Sequence, residues 1–492
     1  MSSSNSSKNL PSTNQRPRSS YSEKCVKAGE PTEDKPTPEV QDEEAESNDE
    51  HNEAPKVTRT QQAFILVAMM LQSFQTQGYT QSYGMFQVHY GSPAAVADGV
   101  LPSSQMTDTA WIAAVGSIGN GGTVALFALL YYPYMPLIGR YIKWVCFLGT
   151  GLVSVGLLTA SWSTNLSHLV VTQGIFVGLG NGLLLYTLPV IIPEYFSKRS
   201  GLVQGITAAG VFDIDTTRLA ELIQVTAASL GGVFYSPVLR KLLQVLGTRN
   251  TLRALACMNA MLLGVASGLA QPARKYEKRT YSIVKLKIFK DPIFSLLMVV
   301  NFLNPLTFAT TFNFGPDFSE SLGFSETMAG YLLALVCGIA IPFRILMGYL
   351  GDRFGHQNGL IAGTLVSALS VWGLWLPAAC LANDKSWMAH LVFYGISAGT
   401  FISFMNLVQK DIFGHERYYV YSGAFSTVRG VGYLVGGPMA GAIVKKDRDD
   451  ELSSSDFAGL VLFTGISMAL CLVCLVVVRQ LEARRTGWLR IR

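Results

Sequence analysis

The stretch IPFRILMGYLGDRFGHQNG, Ile341 to Gly359, begins inside a long apolar run that contains one arginine, Arg344. Asp352, Arg353 and Gly355 follow two helical turns later. Eight residues of helix put Arg344 about 12 Å from Asp352 at 1.5 Å per residue. A guanidinium at that depth in hydrocarbon is costly unless something pairs with it. Outside residues 211–224 no Asp or Glu lies deep in an apolar run, since Glu194, Asp317 and Asp411 all sit near run ends. The missing counter-charge can be a passing solute, and a planar fork of N–H donors suits a carboxylate. The alternative is a side chain that snorkels to the membrane edge or caps backbone carbonyls.

Polar residues recur elsewhere at helical spacing. Gln72, Gln75, Tyr79, Tyr83 and Gln87 share one helix face. Asn301, Asn304 and Thr311 make a second stripe, Gln173, Asn181 and Tyr186 a third, and Ser397, Thr400, Ser403 and Asn406 a fourth. Such stripes either line a solute path or hydrogen-bond one helix to another. No GxxxxGK[ST] phosphate loop, HExxH or GxSxG is present, and the six histidines are scattered. A nucleotide-driven pump, an enzyme, a metal site and a bound cofactor are therefore not expected. Cys471 and Cys474 form a lone CxxC in an apolar run, where cysteine behaves as a small hydrophobe. The net charge of +5 comes from basic residues beside run ends, so nucleic acid is not an expected partner.

The elements that must position these groups are membrane helices. The chain is 49% hydrophobic and 14% charged, against roughly a quarter charged in a soluble domain. Apolar runs of about 20 residues, each able to cross ~30 Å of hydrocarbon, cover 63–88, 109–132, 144–162, 168–192, 201–236, 252–270, 292–314, 328–350, 358–380, 388–408, 419–443 and 456–478. We refer to these as spans 1 to 12. The expected fold is an all-α membrane protein of twelve transmembrane helices in two six-helix halves. Residues 59–270 form the first half and 292–478 the second, joined by a basic linker at 271–291. A tail at 1–58, rich in Ser, Pro and acids, has no means of burying a core, and 479–492 is a short basic tail.

Lys and Arg placement predicts that both termini and the linker are cytoplasmic. Arg140, Lys143, Lys198, Arg199, Lys410, Arg417 and the basic tail agree. Two outer connections do not, one with Arg240, Lys241 and Arg249, the other with Lys445, Lys446 and Arg448. Asn165-Leu166-Ser167 is a glycosylation sequon in a short outer loop. Span 5 carries an anomaly: VFDIDTTRLAELIQ, 211–224, holds Asp213, Asp215, Arg218 and Glu221. Four such groups oppose insertion by roughly 10 kcal/mol. Either the helix breaks there or the segment is absent from the working protein, as a retained intron would explain. Glycines spaced by four, Gly174/Gly178/Gly182, Gly432/Gly436 and Gly437/Gly441, let helix backbones approach closely.

Gly348-Tyr349-Leu350-Gly351-Asp352-Arg353-Phe354-Gly355 fits GxLxDRxG and resembles the signature loop of the major facilitator superfamily. The stretch QGIFVGLGNGLLLYTLPVIIPEYFSKRSGLVQGITAAG, 173–210, is similar to spans 4 and 5 of its monocarboxylate-porter-like branch, fungal type. The resemblance implies that Gly348, Asp352, Arg353 and Gly355 form a conformational latch. It implies that helices 1, 4, 7 and 10 line the central path, and that Arg344 occupies the position of a substrate-binding arginine. The first-half counterpart, YMPLIGRYIKW, keeps Gly139 and Arg140 but lacks the aspartate. Ala340 stands where many relatives carry a proton-handling aspartate, which leaves proton coupling without its obvious residue.

The leading expectation is a secondary-active transporter of a small organic anion, monocarboxylate-like, working by alternating access in the cell membrane. Arg344, Gln75, Tyr79, Tyr83, Asn181, Asn301, Asn304, Ser403 and Asn406 are its expected substrate-binding residues. Its partners are an organic solute, with or without a proton, and the lipid bilayer; a monomer suffices. One alternative is an exporter of a larger secondary metabolite, lined by Tyr79, Tyr83 and Phe308. Another is a non-transporting nutrient sensor that signals through its acidic tail.

Overall fold

Helices occupy all twelve span positions, in whole or in part. The computed structural model describes residues 58–122, 141–195, 216–271, 286–444 and 453–487. Residues from Pro55 onward form one compact unit. The tail at 1–58 lies outside the described residues except for Thr58. So do most of the linker at 271–291 and the end of the basic tail.

Local chemistry sets the helix ends. Span 1 starts at Arg59 behind a capping box: Thr58 Oγ accepts from the Gln61 amide at 3.3 Å and Gln61 Oε1 from the Thr58 amide at 3.0 Å. It runs to Gln81 and, after a break at Ser82, continues from Tyr83 to Tyr90. Asp291 caps span 7 (Pro292–Ser321), Ser325 caps span 8 (Glu326–Phe354), and Asn383 caps span 10 (Asp384–Phe413). Gly355, at φ 91°, turns the chain from span 8 directly into span 9 at His356.

Eight of the described helices are long and apolar enough to cross a membrane by length and composition alone. Span 2 is described only as far as Gly122, too short for that measure, and spans 1 and 11 fall short of it over their described residues. Their polar residues explain it: span 1 carries the glutamine stripe and span 11, His415–Ile443, carries Arg429. Spans 3, 6, 9 and 12 instead expose large apolar side chains, among them Trp144, Met261, Leu369 and Val473. Those faces suit lipid.

The boundary between spans 5 and 6 differs from expectation. One helical stretch, Thr216–Leu269, covers both, and a single residue, Gly247 at φ 69°, separates them. Span 5 therefore extends about ten residues past 236, and Arg240 and Lys241 belong to a helix rather than a loop. Arg240 is buried and ion-paired with Glu326 at the start of span 8, while Arg249 donates to the Gly99 carbonyl at 3.0 Å. Two of the charges that broke the orientation pattern thus have fixed partners. From Thr216 the charged segment is helical and continuous with span 5; residues 211–215 lie outside the described residues.

The two ends of the bundle are named here by Gly247 and Gly355. Aromatic packing anchors the second half at both. Near the Gly247 end Phe318, Trp375, Trp387 and Phe457 interlock, and near the Gly355 end Phe294 meets Phe413, Tyr421 and Phe425. The two glycine rows of span 11 serve different neighbours. Gly432 and Gly436 lie against Phe302 and Leu306 of span 7, whereas Gly437 and Gly441 lie against Ser117 and Thr109 of span 2, across the division between halves. Thr109 Oγ1 donates to the Gly441 and Val444 carbonyls at 2.7 and 3.0 Å.

Candidate functional site

Arg344 is buried, 5% exposed, and lies between the halves. Its guanidinium donates to the Val225 carbonyl and, at 2.5 Å, to Ser229 Oγ, both on span 5. Gly399 of span 10 packs against its Nε and Cγ, where any side chain would collide. Its Nε has no hydrogen-bond partner among the described residues. No carboxylate lies within ion-pair distance among the described residues. The carbonyl-capping alternative is thus partly realised, yet the charge itself remains unmatched.

A second intramembrane arginine, Arg429, escaped the sequence reading. It stands midway along the span 11 helix, fourteen residues from His415 and fourteen from Ile443. Its Nε and Nη2 donate to Asn301 Oδ1 at 3.2 and 2.9 Å, and Nη2 approaches Asn406 Oδ1 at 3.4 Å. Its guanidinium lies 5.9 Å from the Phe401 ring centre, a cation–π contact. Asn301 is fully buried and donates its own amide back to the Leu297 carbonyl at 2.7 Å, which aims its oxygen at Arg429. The signal that would have found Arg429 is the one that found Arg344, a cation inside a predicted span.

Between the halves is a narrow hollow. Thr80, Gln81 and Tyr83 of span 1, Gly116, Ser117 and Asn120 of span 2, Phe308, Phe312 and Asn313 of span 7, and Tyr433 of span 11 line it. Asn120 sits in a π-helical stretch, Ile118–Gly122, that continues span 2. Phe308 stacks against Phe312 at 4.6 Å and meets Tyr433 edge-on at 6.2 Å. The lining is neutral throughout: aromatic faces with amide and hydroxyl groups between them. A second narrow hollow lies within the second half among spans 7, 9, 10 and 12, and includes Asn304, Phe308, Ser367, Ser397, Thr400 and Phe401.

The other expected binding residues divide. Tyr83 lines the first hollow, although its hydroxyl is spent on the Ile112 carbonyl at 2.7 Å. Gln75 and Tyr79 turn into the first half, Gln75 to Tyr235 of span 5 and Tyr79 to Gln173 of span 4 at 2.8 Å. Gln87 reaches across to Asp317 of span 7 at 3.3 Å. Asn301 and Asn406 meet at Arg429, and Asn304 lines the second hollow. The buried Ser403 hydroxyl has no partner among the described residues, and half-buried Asn181 lines neither hollow.

In the latch motif Gly348 is half-buried, Arg353 is exposed and lies over the Phe354 ring at 5.7 Å, and Gly355 closes the helix. The Asp352 side chain lies outside the description. Beside the motif His356 Nδ1 meets Asp411 Oδ2 at 2.6 Å, joining spans 9 and 10. Asn165 is exposed and precedes the first turn of span 4.

At the Gly247 end Asp98, in the loop after span 1, accepts from the Thr248 amide at 2.7 Å and its hydroxyl at 2.6 Å, with His89 Nε2 at 3.5 Å. Burial acts to raise the Asp98 carboxyl, but the Thr248 hydrogen bonds, reinforced by His89, outweigh it and hold the carboxyl below its ordinary value.

A family model described as Major Facilitator Superfamily matches residues 99–437 and 297–488. An agnestins efflux protein of Paecilomyces divaricatus is 25% identical over 418 residues, covering 84% of this chain and 86% of that protein. An aspyridones efflux protein of Emericella nidulans is 26% identical over 381 residues, covering 76% and 70%. Among solved structures, the nucleoside transporter NupG superposes with a TM-score of 0.61 at 16% identity, over 85% of this chain and 99% of that one.

Proposed function

Because this chain belongs to the major facilitator superfamily, we propose that it exports an organic secondary metabolite by alternating access of its two halves. The hollow between the halves carries this reading. Its neutral lining, with Tyr83, Phe308, Phe312 and Tyr433, offers ring faces for a flat, unsaturated body and amides for its oxygens. The names of the two efflux relatives support the same direction of transport. This exporter reading displaces the small-anion reading as the leading one.

Lys and Arg placement supports a cytoplasmic Gly355 end with both termini on that side, and export from the cell would put the chain in the cell membrane. The test is efflux from cells expressing the full chain, loaded with a panel of aromatic metabolites. Accumulation should fall relative to cells without the chain, and fall less in cells carrying Phe308→Ala; equal retention with and without the chain across the panel removes the exporter reading.

A second reading keeps a small carboxylate as cargo, bound at Arg344. It is favoured by the buried guanidinium that meets only neutral groups. Uptake of short monocarboxylates, with and without a pH gradient, separates it from export. The sensor alternative is separated by deleting residues 1–55, which should leave flux intact in a carrier.

A further inference from the structure

Arg344 and Arg429 are both intramembrane arginines, but they are held differently. Arg344 is enclosed: Val225 and Ser229 take its donors and Gly399 walls its flank. Arg429 is half-buried, and its described partners are two amide oxygens and a ring face. No carboxylate lies within ion-pair distance of it among the described residues. Tyr433, one helical turn further along span 11, lines the hollow between the halves. Phe401, beneath the Arg429 guanidinium, lines the second hollow. The charge therefore stands one turn beyond the aromatic site, on its Gly355 side.

We infer that Arg429 is a specificity-determining residue that receives an ionised acidic group of the cargo while the cargo's rings lie against Phe308, Phe312 and Tyr433. The substrate class is then an acidic aromatic metabolite, such as an aryl carboxylate or an ionised phenol. Asn301 and Asn406 serve as place-holders. Their oxygens solvate the guanidinium when the site is empty, and a neutral amide yields to a full anionic charge without leaving a buried charge behind. This inference rests on the export reading, from which it takes the location of the cargo.

The test compares 1-naphthoate with its methyl ester, which share ring and volume and differ in charge. Binding of each to purified full-length protein is followed by fluorescence, and transport of each by proteoliposomes. The wild type should bind the acid at least about tenfold more tightly than the ester. Arg429→Gln should erase that preference and Arg429→Lys should keep part of it. Asn301→Asp places a fixed carboxylate beside the guanidinium, so it too should erase the preference while ester binding persists. It decides the matter if Arg429→Gln fails to fold. Equal binding of acid and ester by the wild type, or a preference that survives Asn301→Asp, overturns the inference. So does a preference lost on Arg344→Gln but not on Arg429→Gln. Vesicles that move both probes equally leave export standing and remove acid recognition. Vesicles that move neither, while the Arg429-dependent preference holds, remove export and leave the site.

Discussion

Arg240 of span 5 is ion-paired with Glu326 in the first turn of span 8, and so ties the two halves together at the Gly247 end. Arg240 is almost wholly buried while Glu326 is half exposed. Gln244 adds a hydrogen bond to the same carboxylate at 3.2 Å.

Glu326→Gln replaces the carboxylate paired with a buried guanidinium by a neutral amide, while Glu320 still acts on it. Loss of a partner to a buried charge is expensive, but the exposure of Glu326 screens part of it, so the expected cost is about 1–2 kcal/mol. The purified protein should unfold at a lower temperature. A cysteine placed at the buried Leu243 should also be labelled faster by an impermeant reagent, because the Gly247 end opens more often. Unchanged labelling would make the pair a static support.

Gly399 has no side chain where the Arg344 chain passes. Gly399→Ala should push the guanidinium from Val225 and Ser229 and reduce transport without preventing membrane insertion. Arg344→Ala should abolish transport while the protein still reaches the membrane. Kinetics unchanged from wild type in Arg344→Ala would remove this residue from the mechanism.

Phe308 faces both hollows and contacts Phe312 and Tyr433. An aromatic contact contributes about 0.5–1.5 kcal/mol beyond area burial. Phe308→Ala should therefore raise the KM for aromatic cargo by about tenfold once lost burial is included. Phe308→Tyr should keep most of the affinity. Initial efflux rates against cargo concentration give both values.

Asp98 predicts an acid-sensitive end. Its carboxyl is held below the ordinary value by Thr248 and His89 against the opposing effect of burial. A carboxyl lowered in the folded state adds stability above its unfolded value, about 4, and that contribution disappears as pH falls through the lower folded value. The Tm of wild type should exceed that of Asp98→Asn at neutral pH, and the difference should shrink below about pH 4. A difference independent of pH would assign the effect to packing alone.

Much of the fold was legible because each span is a local property of about 20 residues. The misplaced boundary between spans 5 and 6 shows the limit of that reading. Arg240 and Lys241 look like loop charges by composition, and only the partner Glu326, far away in sequence, lets Arg240 remain in a buried helix. Arg429 was passed over because the residues before it, YVYSGAFSTV, dilute the apolar contrast that made Arg344 stand out. The polar stripe of span 1 was legible as a stripe but not as a destination. Gln75 and Tyr79 close hydrogen bonds inside the first half, while Gln81 and Tyr83 reach the hollow.

By itself, the sequence determined that this is a polytopic membrane protein with twelve helical spans. Transfer of apolar side chains into hydrocarbon is summed along one segment and needs no knowledge of the others. The tertiary structure alone decided which polar groups are spent on neighbouring helices and which remain open to a cargo. Helical periodicity assigns a residue to a face, but hydrogen bonds and ion pairs depend on what another segment brings to that face. Two arginines with the same local signal thus ended differently, Arg344 enclosed by spans 5 and 10 and Arg429 left half-open beside Asn301.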